Sequence, residues 1–249
     1  MRVSLSPTTK LPAFKLTWPA LRTQPWLLAA LQAAAVLAVF VALFALVQYA
    51  TPGLADHDGY YHMRLARLMR EQGLTPSFVW LPLSILNPAA YYDHHLLFHV
   101  YLALFAGASD PAGLIAGAKA ASVLMPALAG LAVWWLLRGQ GVRWASLWAL
   151  GLLALSEAFL YRLSMPRAQA ASLLVLVLAL HWLLTERYWA LLPLGAAYVW
   201  LYNAFPLLLV VVGVYAAATW ATQRRIEWKP LAFANWPTAV PSSPVACEP

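Results

Sequence analysis

Charge is the scarcest thing in this 249-residue sequence: only 10% of it is Asp, Glu, Lys or Arg, against 63% hydrophobic residues. A soluble domain keeps roughly a quarter of its residues charged, so an ordinary water-facing surface is excluded. Cysteine is nearly absent as well. The single Cys247 rules out an internal disulfide and leaves the redox compartment open. No H-E-x-x-H occurs, which removes zinc hydrolysis of the metalloprotease kind. Nor is there an internal repeat.

What the chain does have is long apolar runs. Crossing ~30 Å of hydrocarbon takes roughly 20 apolar residues, and Leu27–Val47 is such a run, interrupted only by Gln32. The expected fold is therefore an all-α polytopic membrane protein. Its 18 Pro and 13 Trp suit that class, since Pro breaks spans and Trp favours interfaces. The pairs Trp134-Trp135 and Tyr91-Tyr92 read as such interfacial residues rather than sugar platforms. The net charge of +7 does not point to nucleic acid, because Lys and Arg sit in short clusters between apolar runs.

The spans expected are 26–49, 111–137, 144–161, 168–185, 188–203 and 205–222, six in all. Leu96–Ala108 is apolar but short and is interrupted by His99. With six spans and a cytoplasmic N-terminus, the inner side receives ten of the sixteen Lys and Arg; a seventh span at 96–108 would leave it six. The positive-inside bias favours six, making 96–108 an interfacial or re-entrant helix. This gives a cytoplasmic basic tail at 1–25, a transmembrane region at 26–227 and a disordered Pro-rich tail at 228–249. The first run is too long for a signal-peptide core and ends in no A-x-A site, so it reads as a retained anchor in an inner or plasma membrane.

In this topology 50–110 is one extracytoplasmic loop, and 162–167 lies on the same face. Five of the six His fall in that loop, with Asp56, Asp58, Glu71, Asp93 and Asp110. Asp58 precedes a helical pattern with Tyr61, Leu65 and Leu68 on one face, ending at Gly73. It caps that helix, or it shares a divalent cation with Asp56, or it is a general base. His95 and His99 are spaced i, i+4 behind Asp93, a spacing that suits metal ligands or anchors at the headgroup boundary. Arg162 and Arg167 sit on the outer face against the charge rule. Phosphate recognition explains that, as does pairing with Glu157 or lipid headgroups. Lys119, inside the second span, should pair or snorkel outward.

A basic tail, one span and then Asp58-Gly59-Tyr60-Tyr61-His62-Met63-Arg64 resembles the first external loop of the catalytic subunit of oligosaccharyltransferases, especially archaeal ones. Those belong to the GT-C class of polytopic glycosyltransferases. The order Pro111–Arg138, Trp144–Tyr161 and Arg162-Leu163-Ser164 is similar to theirs, and the likeness spans roughly residues 20–220. It implies transfer of a sugar from a polyprenyl-phosphate-linked donor to an acceptor on the extracytoplasmic face. Asp58 would be the catalytic acidic residue, and Tyr61, Arg64, Arg162 and Arg167 would bind substrate. On the residues themselves, Asp58 acts as base or as metal ligand, with Asp56, Asp93 and His95 as candidate co-ligands of a divalent cation, Mg or Mn. The family's second acidic pair is replaced here by Pro166-Arg167-Ala168-Gln169, and its paired-Trp acceptor motif and further spans are missing. That narrows the expectation from protein glycosylation to lipid-linked sugar transfer in general, by a shorter relative or a fragment. The rival expectations are a transporter, an inactive scaffold and an inactive fragment.

Overall fold

The computed structural model describes residues 25–76, 93–225 and 227–235. Every regular element among them is helical. In order they are α1 (Pro25–Tyr49), α2 (Asp58–Gln72), α3 (Leu96–Ala103), α4 (Pro111–Gly139), α5 (Ala145–Gly151), α6 (Glu157–Ser164), α7 (Gln169–Leu184), α8 (Leu191–Leu201), α9 (Pro206–Gln223) and α10 (Lys229–Asn235). Three of them (α1 from Trp26, α4 and α9) are long and apolar enough to cross a membrane, or four spans if the bent α5–α6 pair is one.

The axis of the bundle is α4. At 29 residues it is about 43 Å long at 1.5 Å per residue. Asp110 starts it by accepting from the Gly113 N–H at 2.9 Å, with Pro111 in the first turn, where its missing donor costs nothing. Its buried positions are mostly small: Ala118, Ala121, Ala127 and Ala129 are all within 1% of full burial. Small residues let helix backbones approach, which is how packing is gained where lipid competes for apolar contact. At Gly130 an added Cβ would stand 2.6 Å from the Phe40 ring of α1. Phe40, Phe44, Val123, Ala127, Val133 and Val177 form the core where α1, α4 and α7 meet.

Contacts fix the direction of each helix. Arg138, at the end of α4, hydrogen-bonds Gln32 near the start of α1, so these two run antiparallel. Lys119, in the first half of α4, reaches the Thr51 carbonyl just past the end of α1 and lies 5.4 Å from the Tyr49 ring. The outward pairing expected of Lys119 is therefore made with backbone carbonyl and an aromatic face. Arg167, before α7, reaches Asp56, while His181 near the end of α7 stacks on Trp135 at 3.9 Å. Segments 50–58 and 165–168 thus share one end of the bundle, and 135–139 and 181 share the other.

Four expectations change. The run 144–161 is not one straight helix: Ala145–Ala154 and Glu157–Ser164 meet at 94°. Ser156 accepts from the Phe159 N–H at 3.1 Å and starts a new helix, so a polar cap interrupts the apolar run. The 228–249 tail is not irregular throughout, because α10 packs on α8 and α9 with Ala234 fully buried. Trp134 is a core residue at 5% exposure, with Arg138 5.3 Å over its ring, rather than part of an interfacial belt. Asp58 does not cap α2; it is the first helical residue, and His57 holds the cap position without a side-chain bond. The basic tail 1–24 and Tyr91-Tyr92 lie outside the described residues.

Candidate functional site

The amphipathic loop helices sit on one end of the bundle. Periodicity turns Leu65, Leu68, Met63 and Ala66 of α2 inward, each 4% exposed or less, while Arg64 and Glu71 face out. Gly73, at φ 92°, stops the helix where only glycine adopts that backbone without cost. Met63 and Ala66 pack with Phe98 and Leu102 of α3, with Ala118 and Ala121 of α4, and with Ala168. At eight residues α3 is too short to cross a membrane, in keeping with the interfacial reading of 96–108. Arg67 donates to the carbonyls of Ala106 and Gly107, and Arg70 to that of Ala103. Arg70 therefore binds the last carbonyl of α3, and Arg67 ties α2 to the segment that follows it.

The turn 165–168 is pinned against this platform from several sides. Tyr161 donates to the Ala55 carbonyl at 2.8 Å, and Gln48 donates to the Ser164 carbonyl. Gly59 is where the two chains press together: a Cβ there would be 2.1 Å from Pro166 Cγ. The result brings Arg167 onto both loop carboxylates. Its Nε and Nη2 bind the two oxygens of Asp56, the second at 2.9 Å, and Nη2 also lies 2.5 Å from Asp58 Oδ2. Asp56 is 12% exposed and Asp58 59%. Two carboxylates against one guanidinium leave a net negative charge, and its accessible part is Asp58. The hydrogen bond to Asp56, aided by the charges of Asp56 and Asp58, holds the Arg167 guanidinium above its ordinary range against burial, which lowers it.

Beside this pair runs a buried polar chain. Asp93 Oδ2 is 2.6 Å from His99 Nδ1, and His99 Nε2 is 2.7 Å from His62 Nδ1. The three residues are 6%, 1% and 8% exposed. Burial pushes the Asp93 carboxyl up, but the His99 hydrogen bond and charge and the His95 backbone N–H together hold it below the usual carboxylate range. His62 is driven down to about 2, first by burial and then by the charges of His99, His95, Arg167 and His94. His95 falls to about 4, chiefly by burial. The Tyr61 hydroxyl rises to about 12 through burial and the Asp93 charge; its ring stands edge-on to that of His99 at 6.3 Å.

These groups set a pH prediction. The unfolded chain has imidazoles near 6.5 and binds protons below that pH which folded His62 and His95 refuse. Stability is full above about pH 6.5 and is lost as pH falls, levelling for His95 near 4 and continuing for His62 toward 2. Asp93, with its folded value lowered, adds a loss in the same direction below about pH 4. Thermal unfolding in detergent at about pH 5 should show roughly 2–4 kcal/mol less stability than at about pH 7.5. An unchanged or higher melting temperature at the lower pH would contradict the buried neutral imidazoles.

Of the residues singled out in the sequence, Asp56, Asp58 and Arg167 converge. Asp93 forms the adjoining buried chain with His99 and His62, Tyr61 borders it, and the His95 ring lies 5.6 Å from His62 and 5.4 Å from Tyr202. Arg162 sits on the exposed side of the last turn of α6 and forms no ion pair with Glu157 among the described residues. Arg64 is on the exposed side of α2. Asp56 spends both oxygens on Arg167, and Asp93 spends its two on His99 and the His95 N–H. Among the described residues no three His, Cys, Asp or Glu are grouped to hold a metal ion. The donor set as arranged fits a guanidinium better than a resident divalent cation. The His62–His99 pairing was not anticipated; the only trace of it in the sequence is the crowding of histidines in one loop.

Compared with known proteins, the chain matches no protein-family model, no curated protein and no solved structure.

Proposed function

We propose that the chain is a membrane glycosyltransferase of GT-C type, moving a sugar from a polyprenyl-phosphate-linked donor to an acceptor on the extracytoplasmic face. One observation carries the reading. Asp56 and Asp58 meet Arg167 across 111 and 109 positions of chain, at one end of an apolar bundle where water and lipid would both have access. Ionisable side chains gathered at that end support an enzyme over a transporter, whose charges would line a path through the middle. In this reading Asp58, the exposed carboxylate, faces the transferring sugar. Arg167 holds Asp58 and Asp56 in place, and Arg162, exposed on the same side, takes the donor phosphate, with Arg64 and Tyr61 bordering the substrate. A phosphate-linked donor brings its own leaving group, so positioning and charge stabilisation are the protein's task.

The proposal includes six crossings. The α5–α6 pair would be one broken span, because Arg143 before it lies at the Arg138 end of α4 while Arg167 after it reaches Asp56. The short helices α7 and α8 would supply two more. Cysteines introduced singly into a Cys247→Ser background test this: positions 57 and 162 should react with an impermeant maleimide from outside, and positions 140 and 186 should not. Activity is tested with purified protein and a radiolabelled polyprenyl-phosphate hexose. Asp58→Ala should lower transfer by at least about 100-fold, and full activity in that variant would remove the assignment.

A further inference from the structure

The roles just proposed leave the chain Asp93–His99–His62 unused, although it is the most completely buried polar group of the platform. We propose that His62, rather than Asp58, receives the proton of the acceptor hydroxyl during sugar transfer, with His99 and Asp93 standing behind it to take the charge. The inference rests on the glycosyltransferase reading and deepens it.

Hydrogen-bond inventory gives the chain its direction. An ionised carboxylate only accepts, so Asp93 Oδ2 takes the Nδ1–H of His99, while Oδ1 takes the His95 backbone N–H at 2.9 Å. With its Nδ1–H given to Asp93, His99 offers Nε2 as the acceptor for the Nδ1–H of His62. That leaves the free lone pair of the chain on His62 Nε2, which takes no hydrogen bond from the described residues. His62 is placed where such a lone pair is of use. It lies one helical turn beyond Asp58 on α2 and within the field of Arg167, with Tyr61, Phe98 and His95 edge-on around its ring at 5.2, 5.7 and 5.6 Å. The charged and titratable groups facing it are Arg167, His94, His95 and His99, with Asp93 and Tyr61 behind. Asp58, by contrast, is held by one oxygen on Arg167 and is suited to stabilising the positive character of the sugar carbon.

The second imidazole has a reason. Burial and four neighbouring cationic or basic groups oppose a positive charge on His62 itself. When the acceptor O–H breaks, its proton goes to His62 Nε2 and the Nδ1 proton of His62 passes to His99 Nε2. The charge comes to rest on His99 against the Asp93 carboxylate. The electron pair of the acceptor oxygen forms the new bond to the anomeric carbon. The bond from that carbon to the carrier phosphate breaks, and the phosphate leaves with its electron pair toward Arg162.

A purely structural pin between α2 and α3 would contain the same hydrogen bonds, so the test must read chemistry. With full-length protein in nanodiscs and undecaprenyl-phosphate carrying a radiolabelled hexose, His62→Gln should lower kcat about 10²–10⁴-fold, leaving KM for the donor within about threefold. Asp93→Asn should fall in the same range, and added imidazole should restore part of the activity of His62→Ala. Wild-type protein gives a readout free of any folding defect. Its single-turnover transfer in mixed H₂O and D₂O should show a curved proton inventory, from two protons moving in one step. Active wild type with no solvent isotope effect, or with His62→Gln keeping more than about a tenth of its kcat, overturns the relay and leaves the glycosyltransferase intact. Wild type that transfers nothing from any lipid-linked sugar overturns both.

Discussion

Substituting Gly59 by valine is expected to remove the proposed transfer activity and cost about 2–3 kcal/mol of stability. The backbone there is ordinary helix, so the cost is one of space rather than conformation. A Cβ at 59 would stand 2.1 Å from Pro166 Cγ and 3.2 Å from Leu54 Cδ1. A proline ring has no flexible end to swing away, so the turn 165–168 must shift, and Arg167 shifts with it off Asp56 and Asp58. Gly213→Ala is the matched control. It lies inside α9 with nothing within 4 Å of its added Cβ, and should be neutral or stabilising by up to about 1 kcal/mol. Melting temperatures of the two variants in one detergent decide the matter; similar values would mean that the turn does not press on α2 as described.

The second large effect belongs to Arg167. Replacing it with Ala leaves Asp56, at 12% exposure, beside Asp58 with no counter-ion. Breaking a fully buried pair costs 3–5 kcal/mol; because the Arg167 side chain is 30% exposed, about 2 kcal/mol is expected. Asp56→Asn alone should cost less, since it removes a charge rather than stranding one. The double variant Asp56→Asn, Arg167→Ala should then recover part of the single Arg167 loss, a coupling of about 1 kcal/mol or more in a double-mutant cycle. Strict additivity would show the two side chains to be independent in solution. The proposed transfer should fail in the two variants that lack Arg167, because Asp58 loses its partner in both.

How much of this was legible in the chain can be traced residue by residue. The stripe Tyr61, Leu65, Leu68 and the stop at Gly73 predicted α2 to its last turn, because periodicity and a glycine stop are local signals. The long apolar runs of α1, α4 and α9 were equally plain. The break in 144–161 was not, since hydropathy stays high across it; the one mark is the Ser156-Glu157 pair, which a capping argument could have used. Counting charges put Arg162 and Arg167 in the same compartment as Asp56 and Asp58. It could not say which arginine would touch them, because that depends on the turn at Pro166 and on the room left by Gly59. His62 and His99 are 37 positions apart, and only the packing of α2 on α3 brings them together. Trp134 was misread for the same reason: its surroundings come from α1 and α7, distant in sequence. The helix α10 was hidden by the prolines around it.

On the six-crossing proposal, the shortness of α7 has a consequence for the lipid around it. Its 16 residues make about 24 Å of helix, some 6 Å less than the hydrocarbon of an average bilayer. Beside it, α4 has about 43 Å to place. A sheet of lipid meeting both on one perimeter must thin at one side and thicken, or tilt the long helix, at the other. On that proposal the membrane is thinnest beside α7, and the path of an amphiphile from membrane to aqueous face is shortest there.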